Sequence, residues 1–255
     1  MKNLFYRLAL IVLCVTPVTL LHGAEPYESA LGYWRMVLQA HVDEEGRIDF
    51  LTLQADMADL ESYISYVSTI SPQTNPGLFP SAANVIAYHV NTYNALAMHG
   101  VIKKGIPSDF DSIFKRLAFF KLNKVTVGGV ETSLYDYEND LIRNLGDARI
   151  HFALNCMVRD CPRLPREPFT ATALDTQLDS AAREFFSRAK HLRIDHGKRT
   201  VWLSEILDFY TEDFVPSGRS VDLLTYVNRY VPAPIPADFR VRFIDYDWTI
   251  NQSPR

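Results

Sequence analysis

The chain has 255 residues, 26 Lys+Arg against 30 Asp+Glu, and 47% hydrophobic residues, enough to bury a substantial single core. The two basic residues of the first 24, Lys2 and Arg7, face no acidic ones there, so the remainder is more acidic than the net charge of −4 for the whole. Phosphate backbones would be repelled, which argues against a nucleic-acid partner.

Residues 1–24 read as a secretory signal peptide: a basic start, an apolar run over residues 8–15, and a polar approach to Gly23 and Ala24. The run falls short of the roughly 20 apolar residues a membrane span needs. No later run serves either, so no stable transmembrane segment is expected after cleavage. Leu13 stands where a lipobox before Cys14 wants a small residue, and lipidation is therefore not expected. His22 makes the cleavage motif imperfect, and the cut is placed after Ala24. Periplasmic or secreted localisation follows, with residues 25–255 forming one domain.

In chain order, apolar spacing predicts a helix over residues 26–41, a short strand at 48–50, and helices over 54–69 and 83–102. The third of these helices is apolar almost all round and should be buried. Residues 71–80, with three prolines and a glycine, form the loop before it. Residues 109–120 read as helix, 124–130 as a hairpin around Gly128 and Gly129, and Ser133 as the cap of a helix through Arg143. Residues 149–155 read as a short buried strand. A long helix over 171–189, a hairpin over 191–203, helices over 204–214 and 221–230, and a final strand over 240–250 complete the chain. Without a regular βαβ beat, this is an α+β protein, helix-rich and packed on a small, mainly antiparallel sheet.

The chemically richest stretch holds His151, Asn155, Cys156 and Cys161. Alternation on a strand points His151 and Cys156 apart. Two cysteines five residues apart in an exported protein favour a Cys156–Cys161 disulfide. The competing reading is a thiol enzyme with Cys161 as nucleophile, because Pro162 suits a helix first turn and a helix N-terminus lowers a thiol pKa. A metal site of His151 and the two cysteines lacks a fourth ligand, and neither metal nor cofactor is expected.

Asn91 and Asn94 lie about 60° apart on the buried helix. They either tie it to loop backbones or line a cleft. His89, on another side, reads as a packed residue. Glu138 and Arg143, five residues apart, do not face each other, so each needs another partner. Asp245 and Asp247 read as solvated carboxylates.

Residues 90–96 (VNTYNAL), 133–138 (SLYDYE) running to Arg143, 149–156 (RIHFALNC) with Cys161 and Pro162, 204–210 (SEILDFY) with Asp213 and Phe214, and 246–248 (YDW) together resemble the domain of unknown function 547 family, in its order and over nearly the whole mature chain. The family carries no assigned activity. Asn139 stands where the family usually has histidine, and His89 where it prefers tryptophan or another hydrophobic residue. A buried central helix followed by a strand bearing a histidine is similar to the papain and transglutaminase layout, although residues 83–94 contain no cysteine. These readings lead to an exported accessory domain binding a small molecule or peptide in a cleft formed by Asn91, Asn94, Glu138 and His151, with Asn155 and Arg143 as further ligand-binding candidates. The alternative is a thiol-dependent hydrolase or transferase using Cys161, His151 and Glu138.

Overall fold

A computed structural model describes residues 26–254; the leader and Cys14 lie outside the described residues. Four helices build most of the first core. Helix α1 (Tyr27–His41) lays Leu31, Trp34 and Leu38 against α3 (Ala58–Thr69), where Trp34 stacks on Tyr63 at 5.9 Å. Between them, the expected strand at 48–50 is only a pair of single bridges from Ile48, and Phe50 instead opens α2 (Phe50–Ala55). Asp49 explains the difference: its carboxylate accepts from Thr52 N–H and caps a helix start. Helix α4 (Ala82–Lys103), capped by Ser81, is buried at every residue from Ile86 to Met98, as its all-round apolar pattern predicted.

Helix α5 (Ile113–Arg116) runs into a π-turn, Leu117–Lys121. The hairpin of β1 (Lys124–Val127) and β2 (Val130–Ser133) turns at Gly128 and Gly129, both with positive φ. A Cβ on Gly128 would sit 2.2 Å from the Ser71 hydroxyl, so that position needs glycine for space as well as for backbone freedom. Ser133 then caps α6 (Leu134–Asp136), which continues as a second π-turn, Tyr137–Ile142.

Helix α7 (Leu174–Ser187) packs beside the hairpin of β3 (Leu192–Asp195) and β4 (Thr200–Ser204). After α8 (Ile206–Phe209), α9 (Thr211–Phe214) and α10 (Leu223–Val227), strand β5 (Arg240–Ile244) pairs parallel to β4. A two-stranded and a three-stranded sheet among many helices make the α+β class, with one parallel pairing in an otherwise antiparallel set. A second core forms here, around Phe185, Leu203, Leu207 and Val227. Among the described residues, no helix is long and apolar enough to cross a membrane.

The expected strand over 149–155 is instead a 3-10 turn, Ala148–Phe152, followed by irregular chain. Asp147 caps the turn by accepting from Arg149 N–H, and Leu154 N–H returns to the Ile150 carbonyl. Asn94 takes the backbone groups a strand partner would have taken: its amide donates to Ala153 O at 3.0 Å and its oxygen accepts from Asn155 N–H at 2.7 Å. The turn straddles the two cores, with Ile150 in the first and Phe152 in the second. His151 therefore sits on a turn and not on the histidine-bearing strand of the papain-like layout.

Candidate functional site

A cavity of about 570 Å³ opens where the two cores meet. Its walls are largely apolar: Leu117, Phe120, Leu154, Ile206, Phe209 and Trp248. Polar groups converge within it from three directions: Glu138 from the second π-turn, His151 from the 3-10 turn, and Cys156 with Cys161 from the loop beyond. Both π-turns supply its lining, and such turns widen a helix locally and re-aim its side chains.

Glu138 is buried and accepts a 2.6 Å bond from the Tyr210 hydroxyl of α9's leading edge. Tyr93 of α4 is its second phenolic neighbour. Burial, reinforced by the Glu138 carboxylate, pushes both phenols well above their ordinary range, so they remain protonated donors. Glu138 thus finds its partners on other elements.

His151 is buried and stacked on Tyr210 at 4.1 Å. Its Nε2 lies 2.7 Å from Asp213 Oδ2. Arg143 closes on the same carboxylate with both Nε (2.7 Å) and Nη2 (2.9 Å), and its Nη1 donates to Asn139 Oδ1. Partial burial raises the Asp213 pKa, but bonds from His151 and Arg143 outweigh it and hold the carboxyl well below the usual range. An ionised carboxylate only accepts, so His151 Nε2 carries a hydrogen, and in the neutral tautomer Nδ1 is the acceptor nitrogen. Arg143 therefore acts behind the cavity, through Asp213. Asn139 serves as its support.

The cysteines are free thiols, so the expected disulfide is not formed in this structure. The loop between them curls back until Cys156 N–H donates to Cys161 Sγ at 3.0 Å. Tyr246 O–H donates to Cys161 Sγ at 3.5 Å and lies 3.8 Å from Cys156 Sγ. No helix begins at Pro162, so the helix-terminus argument for Cys161 does not apply. Burial raises the Cys161 pKa, yet bonds from Cys156, Tyr246 and backbone amides more than offset it. Cys156, hydrogen-bonded to its partner sulfur and buried, is pushed well up.

The other predicted site residues are ties. Asn91 joins Phe169 O (2.7 Å) and Phe169 N–H (3.0 Å), and Asn94 grips the 153–155 backbone. Asn155 clamps the cysteine loop through Pro162 O (2.7 Å) and Met157 N–H (2.8 Å). His89 bonds Tyr137 O–H at 2.6 Å inside the first core. The structure thus gathers Glu138, His151, Cys156 and Cys161 at one cavity, sets Arg143 behind it, and leaves Asn91, Asn94 and Asn155 outside. Sequence reasoning missed Tyr93, Asp213, Tyr210, Tyr246 and Trp248. The available signal for Asp213 was that Glu138 does not face Arg143 on the helix they share. Among the described residues, no group of three or more His, Cys, Asp or Glu is placed to hold a metal ion.

Residues 80–186 match the family described as "Protein of unknown function, DUF547". This segment belongs to DUF547. It carries α4, Glu138, His151 and both cysteines, whereas Tyr210, Asp213, Tyr246 and Trp248 come from the chain beyond the DUF547 match. No curated protein and no solved structure matches the chain.

Proposed function

We propose that this DUF547 protein binds a small molecule or peptide group with an apolar body and a hydrogen-bonding end. The observation that carries this reading is the shape of the cavity's chemistry: aromatic and aliphatic walls around a few convergent polar groups, the arrangement that ligand sites share. Glu138 and His151 Nδ1 are the acceptors for the polar end. Ile113, Leu117, Tyr135 and Phe209, exposed large hydrophobics, rim the opening and receive the body. The leader of residues 1–24 supports the periplasm or exterior as the place of binding.

A thiol hydrolase would need a base beside Cys161. The hydrogen bond that His151 makes goes to Asp213 instead of a sulfur, so ligand binding is the better supported function.

The test is binding of straight-chain 1-alkanols, read by fluorescence of Trp248. Each added CH₂ should tighten Kd about fourfold, from about 0.8 kcal/mol per methylene buried, until the cavity is filled. Phe209→Asp should abolish the dependence on chain length, and Glu138→Gln should weaken every member alike. A Kd independent of chain length would overturn the reading.

A further inference from the structure

Ligand binding leaves the two thiols without a task, yet they are arranged unlike inert buried cysteines. An inert thiol sits in apolar surroundings with a raised pKa. Here a backbone N–H, a phenol and a second thiol all converge on Cys161 Sγ. The loop that achieves this is held under local strain. Met157, fully buried and non-glycine, has φ +70°, and Asn155 bonds to both Met157 N–H and Pro162 O, bracing the loop. Cys161, although buried, lines both the first cavity and a second one of about 410 Å³.

We propose that Cys156 and Cys161 form an exchangeable dithiol that reduces a small-molecule disulfide, Cys161 being the attacking sulfur and Cys156 the resolving one. The Cys161 thiolate attacks one sulfur of R–S–S–R, the S–S bond breaks, and R–S⁻ leaves and is protonated from solvent. Cys156 then loses its proton to solvent and attacks Cys161 Sγ of the mixed disulfide, expelling the second R–S⁻. Two thiols are oxidised by two electrons to one internal disulfide, and one external disulfide is reduced to two thiols. The roles follow from the asymmetry of the pair: the Cys156 N–H and the Tyr246 hydroxyl both donate to Cys161 Sγ and favour its thiolate, whereas Cys156, hydrogen-bonded to that sulfur and buried, is pushed the other way.

The experiment uses the reduced full chain in a Cys14→Ser background, with 2-hydroxyethyl disulfide as probe, read by intact mass and thiol titration. The expected result is loss of both thiols with a mass decrease of two hydrogens. Cys156→Ser should stop at the mixed disulfide, gaining one hydroxyethylthio group. Cys161→Ser should react at least tenfold more slowly, and Tyr246→Phe should move the half-maximal rate to higher pH. The inference is overturned if the native protein forms no internal disulfide and its thiols react only after unfolding, or if Cys161→Ser reacts as fast as the parent. Near-ultraviolet circular dichroism of each serine variant separates slow chemistry from lost structure.

Discussion

His191 is the sharpest target for testing how burial controls stability in this fold. Its ring is fully buried, stacked on Phe185 at 3.8 Å, and neither ring nitrogen has a protein partner. Burial, with Lys190 and Arg188 adding to it, pushes the imidazole from 6.5 down to about 2. His89 is pushed by burial to about 3. A folded-state pKa below the unfolded one leaves stability intact above about pH 6.5 and removes it as pH falls toward the folded value. The slope is about 1.4 kcal/mol per pH unit for each group. At about pH 5 each histidine has removed about 2 kcal/mol, so the pair removes about 4, a large share of a typical 5–15 kcal/mol. His41 and His99 are shifted down as well and add to the loss. Asp43, Asp136 and Asp213, held low in the fold, release their share only below the unfolded value of 3.8, so this window belongs to histidine. Urea unfolding of the wild type and of His191→Phe at about pH 7.5 and about pH 5 measures the effect. Any packing change in the variant is common to both pH values and cancels in the difference. His191→Phe should lose about 2 kcal/mol less than wild type between them. An equal loss in both proteins would refute the reasoning.

Two further outcomes follow from the site's supports. Asn94→Ala leaves Ala153 O and Asn155 N–H unpaired in the interior and should destabilise by about 2–4 kcal/mol in denaturant unfolding, with the cysteine loop losing amide-exchange protection first. Arg143→Lys keeps one charge but loses the two-pronged grip on Asp213; at 25% and 21% side-chain exposure this should cost about 1–2 kcal/mol. In the same variant the His151 imidazole proton resonances should broaden as the ring gains freedom.

The main elements were legible because their signals are local. The buried α4, the Gly128–Gly129 hairpin and the Ser133 cap each rest on a pattern within a few residues. The turn carrying His151 was not, because its backbone partners are side chains of Asn94, some sixty positions away, and no periodicity encodes that. The same holds at the cavity. Glu138 and Arg143 revealed a need for partners, but Tyr210 and Asp213, 72 and 70 residues later, could not be matched to them from spacing. The asparagines drew attention for a sound reason, buried amides requiring partners, and the partners turned out to be loop backbone.

One feature of the fold bears on timing. The stretch after β5 stitches back to the start of the chain: Phe50 N–H bonds Gln252, Ile48 N–H bonds the Asn251 carbonyl, and Asn251 donates to Gly46 O. Tyr246, which reaches both sulfurs, and Trp248, which walls the cavity, arrive with that stretch. Emerging in N-to-C order at about 5–20 residues per second, the chain presents Cys156 and Cys161 bare for roughly ten seconds before Tyr246 can reach them. Any oxidant met in that interval acts on an unguarded pair, before the cavity has its second wall.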